Sequence, residues 1–335
     1  MLERLGMRVP VIQAPMAGTS TPALAAAVSS AGGLGSLGLG AMTAAQAARA
    51  MADTATLTAR GFGVNLFCHA PTPPDPTAEA AWLARLAPLF GRFGAIPPDA
   101  LKDIYPSFLV NPAMLDAIVA ARPAMVSFHF GLPRPDQIAA LRATGAVLAA
   151  TATSAAEGRA IRDAGLDAIV AQGWQAGGHR GIFDPDGPDE RLSTLDLVRV
   201  LVPLDLPVIA AGGIMTAADT RAALAAGATA VQCGTAFLLA PEAATPPTHR
   251  AALRGGRTTM TRAISGRPAR CCDNGFTAIP DDGTPGYPMT YDAGKALNAA
   301  ALAAGDSSFG AHWAGTGCAG AVARPAADTV AALAP

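Results

Sequence analysis

The sequence predicts a (β/α)8 barrel carrying a smaller, mostly helical cap domain. Three observations lead there. A short apolar run, a Gly/Pro/Asn break and an Ala-rich amphipathic stretch recur as a unit along the chain. The apolar runs are nearly continuous rather than alternating, as strands buried on both faces require. With 335 residues, 51% hydrophobic and 15% charged, the chain can fill one large core and an appendage.

In chain order the apolar runs are Val11–Ala14, Leu34–Leu37, Gly63–Leu66, Met125–Phe128, Ala146–Ala149, Ala168–Ala171, Val208–Ala210 and Ala230–Cys233. Helices are expected over Thr21–Ser30, Ala44–Asp53, Pro135–Thr144, Ser154–Ala164, Thr194–Val202, Ala217–Ala226 and Pro241–Leu253. Thr21-Pro22 is an N-cap followed by Pro at the first helical position, and Ser154 with Glu157 has capping-box spacing. Gly145, Gly165 and Gly227 fall where helices should stop. Eight such units argue for a closed barrel over an open doubly wound sheet. Two stretches break the repeat. Residues 68–123 enter through a Pro-rich segment and must carry extra helices, and residues 257–335 follow the eighth unit. The expected organisation is therefore a barrel over 1–256 with a helical insertion at 68–123, and a C-terminal cap over 257–335.

The formal net charge is −1, so the basic excess needed to neutralise nucleic-acid phosphates is missing. Mean hydropathy is +0.31, but Ala accounts for it and no uninterrupted apolar span reaches membrane length. The five cysteines show no C-x-x-C spacing, and MLERLGMRVP has no apolar leader region. Reduced thiols and a cytoplasmic location are expected. The reading assigns no oligomeric state.

In a barrel of this kind the chemistry sits where strands end. Pro15 and Met16 follow the first run, and small neighbours there would let a flat ring approach. Asn65 ends the third run and offers both a donor and an acceptor. His129 ends the fourth, where a structural histidine is the competing reading. The sixth run leads into Gln172-Gly173-Trp174-Gln175-Ala176-Gly177-Gly178-His179-Arg180-Gly181. Those glycines can turn peptide N–H groups into the mouth, and His179 is held in a loop as a general acid/base or anion donor. Arg180 fits a charge clamp or a structural ion pair equally. Gly213 ends the seventh unit, and Gln232, Cys233, Gly234 and Thr235 end the eighth. Loops seven and eight commonly build a barrel's phosphate site, so a mononucleotide or other phosphorylated ligand is expected across the mouth. Lys102 and Lys295 are the only lysines, and Tyr105, Tyr287 and Tyr291 the only tyrosines. Gathered over the mouth, Lys295 and these phenols would suit an anionic substrate.

The segments QAPMAG (13–18), GGLGSLG (32–38), FGVNLF (62–67), VSFHFG (126–131), AQGWQAGGHRGIF (171–183), AAGGI (210–214) and VQCGTAFL (231–238) together resemble class I nitronate monooxygenases, once called 2-nitropropane dioxygenases. The resemblance covers nearly the whole chain, to His312-Trp313-Ala314-Gly315-Thr316-Gly317. It implies a barrel that binds FMN, with contacts from Pro15, Met16, Asn65, Gln172, Gly177, Gly178, Gly213, Gln232, Cys233, Gly234 and Thr235. It implies substrate-side roles for Tyr105, His129, His179, Tyr287 and Lys295, with His179 matching the family's base. The family usually has Glu where Gln175 stands. No metal is implied.

The implied reaction is oxidation by O2 of a small anionic alkyl nitronate, such as propionate 3-nitronate, to a carbonyl compound and nitrite or nitrate, a detoxification. The runner-up is an NAD(P)H-dependent flavin reductase of the same superfamily, a quinone reductase or enoyl-ACP reductase, which a nicotinamide nucleotide would bleach. A phosphate-binding aldolase or isomerase would purify colourless. A non-enzymatic flavin-binding module would be yellow but inert.

Overall fold

The apolar runs become strands because their Val, Ile, Leu and Ala side chains are buried on both faces. The computed structural model describes residues 1–335. The strands in chain order are β1 (Val11–Gln13), β2 (Ser36–Gly38), β3 (Gly63–Phe67), β4 (Met125–His129), β5 (Val147–Ala152), β6 (Ala168–Gln172), β7 (Gly178–His179), β8 (Val208–Ala211), β9 (Ala230–Cys233), β10 (Thr258–Thr261) and β11 (Ala269–Cys272). Eight of them pair in parallel in the order β1-β9-β8-β6-β5-β4-β3-β2. A parallel bridge between Ile12 and Leu34 joins the two ends and closes the barrel. Its interior is filled by Ile12, Leu34, Met125, Val147, Val170 and Ile209, and the chain start adds Leu5 and Met7 to this cluster.

The helices are α1 (Pro22–Ser30), α2 (Ala44–Leu57), α3 (Pro76–Arg92), α4 (Pro112–Ala121), α5 (Pro135–Ala143), α6 (Ala155–Asp163), α7 (Thr194–Leu201), α8 (Ala217–Ala225), α9 (Pro247–Ala252), α10 (Met289–Ala303) and α11 (Ala326–Leu333). None is long and apolar enough to cross a membrane. Thr21 caps α1 through Leu24 N at 3.0 Å. The expected capping box at Ser154 forms only in part. Ser154 Oγ accepts from Glu157 N, but the buried Glu157 carboxylate takes Thr153 N and Phe183 N instead, at 2.6 and 2.7 Å. That carboxylate anchors the long loop after β6. The helix expected over 241–253 is also shorter, covering α9 alone. Pro246 and Pro247 delay its start, and the Arg250 guanidinium holds the preceding segment open through the carbonyls of Leu239, Ala240, Ala243 and Thr245.

The insertion supplies α3, and its Trp82, Leu86 and Phe90 share a second core with Ile264, Phe276, Leu297 and Phe309. Residues from 257 onward divide between two places. β10, β11 and α10 stand with α3 over the mouth, whereas α11 returns to the barrel and buries Ala326, Val330 and Leu333 in its helix layer. The decisive join is the small antiparallel sheet β10-β11-β7. In it Gly178 pairs with Arg270 and His179 with Ala269, so the glycine-rich loop after β6 is stitched to the cap.

Candidate active site

A cavity of about 830 Å³ opens at the C-terminal ends of the strands, under the cap. That lies within the range of small-molecule sites. On the β1 side, Gln13 is wholly buried and accepts from Ser36 N at 2.9 Å. It donates to Ser20 Oγ, which in turn accepts from Met16 N, both at 2.9 Å. This chain of bonds sets the loop carrying Pro15 and Met16 along one wall. Asn65 donates to the carbonyl and hydroxyl of Ser127 at 3.2 and 2.9 Å, leaving its amide oxygen for a ligand N–H.

The β6 loop is pinned by its own polar groups. The His179 carbonyl accepts from Gln172 Nε2 at 2.9 Å and from His129 Nε2 at 3.1 Å. Gln172 Oε1 accepts from Gly181 N at 2.7 Å. A carbonyl can only accept, so His129 carries its proton on Nε2, and its Nδ1 accepts from the Thr151 hydroxyl at 3.0 Å. Both His129 nitrogens are therefore engaged within the protein, in the structural arrangement that competed with a catalytic one. Burial lowers its pKa to about 4. Arg180 forms a two-pronged ion pair with Asp189 at 2.8 and 2.9 Å and is 1% exposed. It is a structural pair and not a substrate clamp.

His179 lines the cavity. Its Nε2 lies 2.9 Å from Ser265 Oγ, and Nδ1 has no partner in the protein. The ring stands 5.0 Å from Trp313, 5.7 Å from Tyr287 and 5.8 Å from Tyr291, between centroids. Burial, with His129 and Arg267 adding positive field, lowers its pKa to about 3. Such an imidazole is uncharged and weakly basic at neutral pH.

On the neighbouring strand, Gly212 (φ 122°) and Gly213 (φ 72°) occupy the left-handed region after β8. The peptide N–H groups of Gly177, Gly213, Gly234 and Thr235 find no acceptor in the protein, although the four residues line the cavity. Unpartnered donors converging on a concave rim are what an anion would satisfy. Thr235 Oγ1 accepts from Gly315 N at 2.9 Å, which ties the cap tail to this rim. A Cβ on Gly177 would lie 2.3 Å from the Ala314 carbonyl carbon, so the close approach needs glycine. Cys233 and Gln232 also line the cavity. Burial raises the Cys233 thiol far above its ordinary range, which leaves it inert.

From the cap, one face of α10 reaches the cavity at Tyr291, Lys295, Asn298 and Leu302, a helical i, i+4, i+7, i+11 stripe. Lys295 Nζ lies 4.9 Å from the Tyr105 ring and 5.7 Å from the Tyr291 ring. Tyr105 also lines the cavity, whereas Tyr287 does not. Tyr287 is 3% exposed with its hydroxyl unpartnered, and it stacks behind Tyr105 at 6.5 Å. Of the three phenols expected over the mouth, Tyr105 and Tyr291 line the cavity, and Tyr291 is the one that the family resemblance did not assign to the substrate side. The available signal was its i, i+4 spacing to Lys295. Gln175 does not line the cavity. Its Oε1 accepts from Thr194 N and Oγ1 at 2.9 and 3.1 Å, at the start of α7, a role open equally to the carboxylate usual at this position. No Asp or Glu lines the cavity.

Comparison with known proteins finds relatives over the whole chain. The nitronate monooxygenase family model matches residues 1–335. A nitronate monooxygenase of Paraburkholderia phytofirmans is 54% identical over 343 residues, covering 99% of this chain and 93% of that protein. One from Pseudomonas aeruginosa is 50% identical over 342 residues, covering 98% and 96%. Among solved structures, nitroalkane oxidase from Streptomyces ansochromogenes superposes with a TM-score of 0.89 at 38% identity, covering 99% of this chain and 97% of that one.

Proposed function

This chain belongs to the nitronate monooxygenase family, and from that premise we propose that it oxidises alkyl nitronates with O2, using FMN held across the barrel mouth. The observation that carries the reading is a cavity without a single carboxylate, with unpartnered peptide amides at one wall and one lysine on the cap side. The nitronate and the FMN phosphate are both anionic, which suits such a lining.

The residues fit FMN. The amides of Gly213, Gly234 and Thr235 would hold the phosphate by charge-assisted hydrogen bonds without any lysine. Gly177 and Gly178 would let the ligand lie close to the backbone. Pro15, Met16, Asn65, Gln172, Gln232 and Cys233 would line the remainder. When bound, FMN supplies the electron transfer that side chains cannot.

The protein's own part is binding, orientation and proton control. Lys295 would attract the nitronate, with the Tyr291 and Tyr105 hydroxyls donating to its oxygens. His129 would act by fixing the His179 carbonyl, and Tyr287 by backing Tyr105. His179 would face the carbon side as an uncharged imidazole. A nitronate arrives already deprotonated, which suits a histidine of low basicity. The cap keeps bulk water from the reacting centre and strengthens these interactions. As part of the same reading, the activity belongs to detoxification in the cytoplasm, where five buried unpaired thiols persist.

The test is spectroscopy of the purified protein with propionate 3-nitronate and NADH in parallel. A yellow protein bleached anaerobically by the nitronate and recoloured by O2, with NADH inert, is expected. A colourless protein, or bleaching by NADH alone, refutes the reading.

A further inference from the structure

Two histidines of the cavity take no part in the chemistry assigned above. His249 from α9 and His312 from the tail both line it and are 5% and 6% exposed. Their rings stack with centroids 5.3 Å apart and planes 25° from parallel. His249 Nε2 lies 3.0 Å from the Trp313 carbonyl. A carbonyl only accepts, so His249 carries its proton on Nε2 and a bare lone pair on Nδ1. Burial lowers its pKa to about 4, so the ring is uncharged at neutral pH. His312 Nδ1 is enclosed without a partner. A buried orphan N–H is rarer than a buried orphan lone pair, which puts the His312 proton on Nε2. Neither His249 Nδ1 nor His312 Nε2 bonds within the protein, and neither is enclosed, so both are open to the cavity. A methyl group on Gly310 would take the place of His312 Nε2, so glycine there leaves that nitrogen its room. The stacked pair presents one acceptor and one donor side by side. It also adjoins the reacting centre. Trp313, next in the chain, has its ring 5.0 Å from His179 and 6.3 Å from Tyr291. One residue is 3.8 Å of backbone, so the pair stands about 10 Å from His179. Asn298 and Leu302 line the same cavity beyond Lys295, about one and two turns further along α10.

We propose that the His249–His312 pair is a second subsite, which binds a neutral hydroxyl or carboxamide at the far end of the substrate chain. The proposal rests on the nitronate reading above and deepens it, because Lys295 and Tyr291 hold the charged end and the pair holds the other. A hydroxyl donates to His249 Nδ1 while it accepts from His312 Nε2, and a carboxamide does the same through its N–H and its oxygen. A carboxylate has no proton to donate and sets its charge against a lone pair. A plain alkyl end displaces water and leaves both nitrogens without partners, which a site built for hydrogen bonds rejects. At about 1.2 Å per extended bond, the distance to the pair takes a chain of roughly six to eight carbons. The ribityl hydroxyls of a flavin have the same chemistry, and the experiment separates that source from the substrate.

The test uses the holoenzyme and alkyl nitronates of four, six and eight carbons, each ending in a hydroxyl or in a methyl group. The quantity read is the ratio of kcat/KM for the hydroxyl-ended chain to that for its methyl-ended partner. In the wild type the ratio should reach about fivefold at six or eight carbons and stay near one at four. H312L removes the donor, and with it a nitrogen buried without a partner, and should bring the ratio to one or below. G310A displaces His312 Nε2 without changing the imidazole and should lower the ratio in the same direction. A merely structural lesion would lower both members of a pair together and leave the ratio as it was. A ratio near one at every length in the wild type, or one that both variants leave intact, overturns the proposal. Flavin affinity of the same proteins is read by fluorescence. Weakened flavin binding with the ratio retained would give the pair to the ribityl chain and overturn the proposal. Calorimetry with neutral 6-nitrohexan-1-ol and 1-nitrohexane judges the subsite without turnover. Absence of nitronate oxidation in the wild type would sink the reaction assignment, while tighter binding of the alcohol, lost in H312L, would still uphold the subsite and equal binding would reject it. Should neither variant fold, the wild-type ratios and calorimetry decide.

Discussion

At the scale of single residues, chemistry is divided between groups left free and groups spent on holding them. His179 keeps one nitrogen without a protein partner, while both nitrogens of His129 are bonded. The H179N variant should lose nitroalkane turnover far more than nitronate turnover, read as the ratio of the two kcat/KM values. Equal losses would remove His179 as the base. The two phenols of the cap separate in the same way. Y291F should raise the nitronate KM by about tenfold, the loss of one charge-assisted hydrogen bond. Y287F deletes a hydroxyl that is buried without a partner, so thermal unfolding should show unchanged or higher stability, and the KM should stay within about twofold. A larger effect of Y287F on KM than of Y291F would reverse these assignments.

At the scale of elements, loop ends matter more than strand interiors. The β6 loop is fixed by Glu157, Gln172, His129 and the pairing of β7 with β11. Gly177 passes so close to Ala314 that a methyl group has no room. G177A should therefore force the cap tail outward, destabilise the protein by about 1–3 kcal/mol, and lower flavin content measured by absorbance. Full flavin content and unchanged melting would show that the approach is not tight. Gln175 offers the opposite case. Its amide oxygen already accepts at the start of α7, and a carboxylate there would also meet the positive end of the helix dipole. Q175E should stabilise by about 0.3–1 kcal/mol in chemical denaturation and leave the nitronate kcat/KM unchanged, because the side chain does not line the cavity.

At the scale of the whole molecule, all five histidines have depressed pKa values, chiefly through burial. His69, His129 and His249 fall to about 4 and His179 to about 3. The unfolded chain then binds more protons than the folded one between about pH 4 and the ordinary histidine pKa of ~6.5, so stability rises with pH through that window. Denaturation measured across it should show uptake of more than one proton per molecule on unfolding. A flat profile would mean the histidines are solvated in the native state. The penalty for keeping them neutral is absent above pH ~6.5 and grows as the pH falls toward 4.

The fold was legible because it depends on local pattern. Runs such as Met125–Phe128 and Ala168–Ala171, each joined to an amphipathic helix, have few ways to bury both faces other than a closed parallel sheet. Glycines at strand ends were legible for the same reason, since backbone reach is a property of residue type. What no local pattern could convey was orientation across long separations. Whether Tyr287 or Tyr291 enters the cavity depends on which side of the cap faces the mouth. Whether Arg180 clamps a substrate or pairs within the protein depends on where Asp189 lies. Those choices are made by packing between segments distant in sequence, such as α3 on α10 and β7 on β11, and tertiary structure alone decided them.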